Sequence, residues 1–78
     1  MTLTIVSAEK VLYEGEAQSV TVPGGKGPFE VLEGHAPIIS TLRGGKLSFV
    51  TKDGEHEMTI SGGFIDVHDG RAEVCVEL

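Results

Sequence analysis

The stretch LSFVTKDGEHEMTI, residues 47–60, decides the fold. In its first half apolar side chains alternate with more polar ones, the period-two pattern of a half-buried strand. Asp53-Gly54 then separates this run from a second one, and we predict a type I′ hairpin turn there because both residues can adopt a positive φ. Lys52 and Glu55 flank the turn with opposite charges, so we expect them to pair across the two strands.

The same arrangement recurs further along the chain, where Asp69-Gly70 separates two more patterned runs. Residues 23–28 are predicted as a loop, because neither strand nor helix tolerates so many prolines and glycines. Shorter patterned runs predict strands over residues 2–7, 11–14, 17–23, 29–32 and 38–42. About nine or ten short strands separated by frequent turns predict an all-β sandwich or small barrel.

Composition agrees with an all-β chain. Valine, isoleucine and threonine make 20 of the 78 residues, and there are 11 glycines. β-Branched residues fit pleated surfaces and glycines mark turns. The length predicts one domain over residues 1–78, which buries only about 60% of its unfolded surface. The single Cys75 cannot form an internal disulfide.

Charge and hydropathy exclude several classes of protein. The formal net charge is −6, and the six basic residues are scattered along the chain. A nucleic-acid binder would show clustered basic residues, and anionic lipid head groups would repel an acidic surface. The apolar runs are too short for a membrane span or a signal peptide.

We predict no catalytic, cofactor-binding or metal-binding site. The two glycine-lysine groupings at residues 24–27 and 44–46 lack the spacing and the following helix of a phosphate loop. His35, His56 and His68 lie far apart in sequence, and zinc ligands in small domains usually come in close pairs. Cys75 lies in a strand without the setting of a reactive thiol.

Residues 27–37 are the segment that turn chemistry alone does not explain. They contain one aromatic residue, two acids, one histidine and two prolines. Loops on a stiff scaffold commonly carry function, so we interpret this segment as a binding rim. The alternative is that Phe29, Val31 and Leu32 belong to the core.

Several elements together resemble the epsilon subunit family of F-type ATP synthases, called delta in mitochondria. The residues that carry the resemblance follow in order over the whole chain: Val20-Thr21-Val22-Pro23-Gly24, Gly27-Pro28-Phe29, Val31-Leu32, Gly34-His35-Ala36-Pro37 and Ser61-Gly62-Gly63-Phe64-Ile65-Asp66-Val67. The resemblance implies a ten-stranded sandwich of short antiparallel strands in the central stalk. It further implies a non-catalytic rotor subunit that docks on the gamma subunit and the polar loops of the c-ring and couples proton-driven rotation to ATP synthesis. Its expected location is the cytoplasmic face of a bacterial inner membrane, without membrane insertion or a cofactor.

The resemblance also implies a contact site. Carried over residue by residue, the end that faces the partners comprises Gly27, Phe29, Glu30, Val31, Leu32, Glu33, Gly34, His35, Ala36 and Pro37, with the Ser7 turn expected at the same end. Gly62 and Gly63 are expected to permit a close backbone approach or a bulge. Relatives commonly differ at Pro28, Glu30 and Glu33, so we expect Glu30 and Glu33 to meet basic side chains on the ring.

Two further expectations concern the length and the class of the chain. Many relatives continue into a regulatory C-terminal helical hairpin, whereas this sequence stops at Leu78, so we expect a coupling part only. An acidic all-β chain of this size is also typical of a biotinyl or lipoyl carrier domain, with Lys52 beside a hairpin turn as the candidate lysine. Intact mass would distinguish the two interpretations. A small hydrolase or isomerase would need a base–nucleophile pair that the sequence does not show.

Overall fold

A computed structural model describes all 78 residues as nine β-strands without a helix. No helix is therefore available that could cross a membrane. The strands are β1 Thr2–Val6, β2 Val11–Glu16, β3 Ser19–Gly24, β4 Gly27–Leu32, β5 Ile38–Leu42, β6 Gly45–Thr51, β7 Gly54–Ile60, β8 Gly62–His68 and β9 Arg71–Glu77.

The strands form one continuous sheet that curls into two layers. One half has the order β2-β1-β9-β8-β5, and the other contains β3, β6 and β7 with β4 on the free side of β3. The two halves join where Gly24 of β3 pairs with Leu42 of β5. Buried side chains from both halves form a single core cluster of 16 residues.

The all-β sandwich predicted from the sequence is confirmed, with two differences. The structure has nine strands instead of ten. One pair is parallel, since β1 lies alongside β9 with Thr2 opposite Arg71 and Val6 opposite Cys75, whereas the other pairs are antiparallel. Chain-distant strands have no hairpin turn to fix their relative direction, so this pairing follows from packing.

The core is built from the alternation seen in the sequence. Leu3 and Ile5 of β1 point inward, as do Ala72, Val74 and Val76 of β9, and all five are buried. Each fully buried aliphatic side chain of valine size or larger contributes about 1.5–3 kcal/mol. Burial of this face fixes the strand register, because a slip by one residue would expose the whole set.

The turn after β6 differs from the prediction. Thr51 pairs with Gly54, so the two central turn residues are Lys52 and Asp53, and neither has a positive φ. Gly54 follows them with φ 120°, which excludes a type I′ turn at Asp53-Gly54. Glu55 stands opposite Val50, so the predicted cross-strand pair of Lys52 with Glu55 does not form.

The turn between β8 and β9 matches its prediction. His68 pairs with Arg71, and the central residues Asp69 and Gly70 have φ values of 48° and 73°. These are the positive angles of a type I′ turn, which matches the twist of the flanking strands.

The loop predicted over residues 23–28 is mostly strand. β3 continues through Pro23 and Gly24, and β4 begins at Gly27, which leaves only Gly25 and Lys26 as the turn. Pro23 pairs with Pro28, so two residues without an N–H face each other. Pro28 is tolerated because β4 is an edge strand. Pro23 lies on the inner strand β3, where its carbonyl still accepts a hydrogen bond from the Arg43 N–H over 2.8 Å.

Register sorts the turns into two ends of the molecule. We call one the His35 end: it carries Met1, the turn at residues 51–54, the loop at residues 33–37 and the Asp69-Gly70 turn. The other is the Ser7 end, with the turn at residues 7–10, the Gly25-Lys26 turn and the carboxyl end of β9. This division decides which predicted site residues lie together.

Candidate functional site

The candidate site is a ribbon of chain over residues 27–37, formed by β4 and the loop that follows it. β4 pairs only with β3, so its other edge is open. Pro28, Glu30 and Leu32 are exposed, and 52% of the Leu32 surface is accessible to solvent. The ribbon therefore presents an acidic and an apolar side chain along an unpaired strand edge.

Local hydrogen bonds shape the loop at the end of the ribbon. The His35 backbone N–H donates to the Leu32 carbonyl over 3.0 Å, and Gly34 between them has φ 83°. A positive φ at the third residue of such a turn is the signature of type II. The His35 ring nitrogen Nδ1 lies 2.7 Å from the Ala36 carbonyl, to which it donates in the matching tautomer. The side chains of residues 33–37 are exposed on this ordered turn.

Glu33 is held by the first residue of the chain. Its carboxylate accepts a hydrogen bond from the Met1 ammonium, which also donates to the Ala17 carbonyl over 3.1 Å and lies 3.6 Å from Glu16. The Glu33 hydrogen bond, opposed by desolvation, raises the pKa of the Met1 ammonium. Glu33 thus helps to anchor the loop while its side chain stays exposed to solvent.

The structure corrects one of the predicted contact residues, Val31, and turns a second, Phe29, toward the core. Val31 is fully buried in the core, so its side chain cannot contact a partner. Phe29 is partly buried and packs against the same core. The alternation of β4 explains both, because residues 29 and 31 face inward while residues 28, 30 and 32 face outward. Of the three residues that the core alternative named, only Leu32 points outward.

Ser7 does not lie at the end where it was expected. The loop at residues 33–37 enters β5 at Ile38, which pairs with Val67, whereas β1 runs away from that end and reaches Ser7 beyond Val6 and Cys75. Ser7 itself shapes its turn: its N–H donates to the Lys10 carbonyl over 2.9 Å. Gly27 also lies at the Ser7 end, since its partner Gly24 pairs with Leu42. The predicted set is therefore split between two ends.

Gly63 lies against the backbone of β9. A Cβ built on it would overlap the Cys75 carbonyl oxygen and come within 3.0 Å of the Val76 Cα, and its φ is 144°. Gly62 is less constrained, because the nearest atom to its Cβ would be the flexible Glu77 carboxylate at 3.1 Å. Of the two glycines, Gly63 is the one whose position requires the absence of a side chain.

Sequence reasoning missed an exposed apolar patch on the outer face of β2, β1, β9, β8 and β5. Strand pairing brings together the residues of this outer apolar patch: Val6, Val11, Ile39, Phe64 and Cys75. Ile39 is 76% exposed and Phe64 is 48% exposed. The sequence signal was present in two adjacent apolar pairs, Ile38-Ile39 of β5 and Phe64-Ile65 of β8, because neighbouring residues of a strand point to opposite faces and one of each pair must point outward.

Comparison with known proteins gives one consistent family. The model of the "ATP synthase, Delta/Epsilon chain, beta-sandwich domain" matches residues 1–78. The epsilon chain of Chlorobaculum tepidum is 40% identical over 77 residues, covering 97% of this chain and 88% of the relative. The epsilon chain of Leptospira borgpetersenii is 35% identical, and the match covers 99% of this chain and 61% of the relative. The epsilon chain of Bordetella petrii is 39% identical, and the match covers 94% of this chain and 52% of the relative. The chain thus spans between about half and nine-tenths of the length of these curated relatives.

Solved structures show the same architecture. A chain of the Euglena gracilis mitochondrial ATP synthase, in its OSCP/F1/c-ring structure, superposes with a TM-score of 0.87 at 27% identity and covers 95% of this chain and 48% of its own. A chain of the Tetrahymena thermophila central stalk and c-ring superposes with a TM-score of 0.84 over all of this chain and 63% of its own, which at 19% identity shows the fold alone. These relatives lend no support to the carrier-domain interpretation.

Proposed function

We infer the function from one premise: the chain belongs to the family of ATP synthase delta and epsilon chains, through their β-sandwich domain. The resemblance read from the residue motifs is thereby confirmed. The family match over residues 1–78 is the observation that carries the proposed function.

We propose that the chain is a non-catalytic subunit of the central stalk of a proton-translocating F-type ATP synthase. In this role it helps to fix the gamma subunit to the c-ring, so that proton-driven rotation reaches the catalytic head. The complex then holds it at the cytoplasmic face of a bacterial inner membrane. A torque coupling must be stiff, and a small sandwich packed to crystal-like density around one core has that property.

The ribbon over residues 27–37 is the surface that we assign to the polar loops of the c-ring. It is exposed along an open strand edge and carries Glu30, Leu32 and Glu33 outward. Glu30 has no ion-pair partner within the chain, whereas Glu33 is partly neutralised by the Met1 ammonium. Carboxylates on such an edge favour basic side chains of a partner, with an attraction that salt screens.

The outer apolar patch is the surface that we assign to the gamma subunit. A permanent contact within a rotor is an obligate interface, and obligate interfaces are more hydrophobic than transient ones. Ile39 and Phe64 expose large apolar side chains on one face of the sheet. The patch and the ribbon belong to different halves of the curled sheet, as a subunit that joins two partners requires.

A retention experiment tests the proposed function. The tagged 78-residue chain is mixed separately with purified gamma subunit and with c-ring in detergent, and the material retained on the tag is analysed. We expect each partner to be retained on its own, since the two proposed contact surfaces are separate. Failure to retain either partner at low salt would overturn the proposal.

A further inference from the structure

The β8–β9 hairpin gathers three potential metal ligands on its outer face. Asp66 pairs directly with Glu73 across the two strands, and His68 lies two residues beyond Asp66 on the same face. One donor atom from each of the three lies within 4.8 Å of the other two. They come from neighbouring strands whose register is fixed by seven residue pairs, so the backbone that carries them is stiff.

The His68 ring is already oriented as a metal ligand would be. Its Nε2 lies 3.1 Å from Glu73 Oε1, and its Nδ1 lies 3.5 Å from Asp69 Oδ2. In proteins a ligating imidazole usually donates its second N–H to a carboxylate or carbonyl, which fixes the ring and its tautomer. Here Asp69, held in the type I′ turn, stands in that supporting position and leaves Nε2 facing Glu73 and Asp66.

We propose that Asp66, His68 and Glu73 bind a divalent first-row transition cation such as zinc. The separation of 3.1 Å between Nε2 and Oε1 is close to the edge of about 3.3 Å that bonds of about 2.0–2.1 Å give in a tetrahedral site. The cation takes the place of the proton that these two atoms share, and solvent completes the coordination. A nitrogen donor beside two carboxylates selects zinc and its neighbours over magnesium and calcium, which prefer oxygen alone.

Local charge favours the cation. With a neutral imidazole, the carboxylates of Asp66, Asp69 and Glu73 face a single basic residue, Arg71, which pairs with His68 across the turn. The hairpin therefore carries an excess of negative charge that a divalent ion neutralises. The site lies on the outer face of β8 and β9, in the other half of the sheet from the ribbon and beside the outer apolar patch, because Asp66 stands opposite Ile39. Zinc binding is tested on the chain alone, so it does not depend on the proposed stalk function.

Calorimetric titration of the metal-free 78-residue chain with zinc chloride near neutral pH tests the proposal. We expect one zinc per chain, and an affinity lowered by about tenfold or more in His68→Gln and in Glu73→Gln. Magnesium chloride at the same concentrations is expected to give no binding. Both substituted side chains lie on the surface, and the amide spectrum of each variant checks that the fold is retained.

Two matched variants serve as controls. Cys75→Ser removes the softest zinc ligand of the chain, two residues from Glu73 on the same strand, and His35→Gln removes a histidine at a separate loop. Both are expected to bind zinc as the unsubstituted chain does. The proposal is wrong if zinc does not bind at about millimolar concentration, if binding survives in both His68→Gln and Glu73→Gln, or if it is lost in Cys75→Ser.

Discussion

Gly63 and Gly34 both have positive φ values, yet their surroundings differ. A Cβ on Gly63 would overlap the Cys75 carbonyl oxygen of the neighbouring strand, whereas a Cβ on Gly34 would have no atom within 4 Å. The φ is 144° at Gly63 and 83° at Gly34. At Gly34, glycine is therefore favoured by the positive φ alone. At Gly63, it is favoured by the positive φ and also by the lack of space for a side chain.

We predict that alanine separates these two requirements. Gly34→Ala should lower the free energy of unfolding by about 1 kcal/mol, the cost of a left-handed residue. Gly63→Ala should lower it by about 3 kcal/mol or more, since β8 and β9 must also move apart. Urea denaturation of the two variants measures the difference. Equal losses would mean that the sheet accommodates a methyl group at Gly63 without separation of the strands.

The charge of His68 depends on pH near neutrality, and folding shifts this dependence. Hydrogen bonds to Glu73 and then to Asp69 raise the pKa of its imidazole above 6.5; the loss of hydration around the ring opposes this rise, and the charges of Asp66 and Glu73 add to it. A group whose pKa is raised by folding stabilises the folded state below its unfolded pKa, and this contribution disappears as pH rises through the folded value. Arg71, opposite His68, is the one positive charge facing it across the turn.

We therefore predict a pH-dependent difference between the metal-free chain and His68→Gln. At about pH 5.5 the unsubstituted chain should have the higher urea midpoint, and at about pH 8.5 the difference should have vanished. Glu73→Gln should lower the pKa of His68 in an NMR titration, whereas Glu55→Gln, on the distant strand β7, should leave it unchanged. An unchanged His68 titration in Glu73→Gln would contradict the assigned hydrogen bond.

At the scale of the element, the alternation of inward and outward residues in β4 identifies the faces of the strand but not where the strand begins. Its period-two pattern is clear once the strand is known to begin at Gly27, with Phe29 and Val31 inward and Leu32 outward. The sequence hid this start, because prolines and glycines at residues 23–28 are typical of loops. Pro23 and Pro28 are accommodated as a facing pair without donors, a compensation that is visible only when both strands are in place.

The β4 alternation gives a prediction with a built-in control. Val31→Ala should lower the free energy of unfolding by about 2 kcal/mol, because it removes two buried methyl groups and leaves a cavity in the core. Leu32→Ala, one residue further and exposed, should change it by about 0.5 kcal/mol or less. Chemical denaturation of both variants checks this. A larger loss for Leu32→Ala would invert the assigned faces of the strand.

The presence of the strands was predictable from the sequence. The central residues of one turn, and the end of the molecule at which each turn lies, were not. The nine runs were found because alternation and turn residues are local signals. The central residues of the β6–β7 turn are Lys52 and Asp53, one position before the predicted Asp53-Gly54, because a turn dipeptide alone does not determine which residues pair on either side of it. The split between Ser7 and His35 depends on the parallel pairing of β1 with β9, which joins opposite ends of the sequence and leaves no local mark. The sequence motif therefore identified the residues of the ribbon, but only the structure shows at which end of the molecule each of them lies.

At the scale of the whole molecule, a body of 25 × 24 × 19 Å exposes two chemically different surfaces. The ribbon exposes carboxylates and Leu32 along the open edge of β4, and the outer apolar patch lies on the other half of the sheet. A subunit that joined only one partner would need one such surface. The size is small enough that both surfaces are fixed by the same core, so a load on one reaches the other through packed side chains.

The two surfaces should be separable by substitution and by salt. Ile39→Asp and Phe64→Ser place polar groups in the outer apolar patch and should each reduce retention of gamma by about tenfold or more, while c-ring retention stays unchanged. Glu30→Lys should reduce c-ring retention, and the double substitution Glu30→Lys with Glu33→Lys should reduce it further. Added salt should weaken the c-ring contact of the unsubstituted chain but not its gamma contact. Glu55→Lys makes the same charge change on β7 and should leave both contacts intact. Loss of both partners in every variant would show that one surface serves both, because a stiff body with two independent interfaces must lose them one at a time.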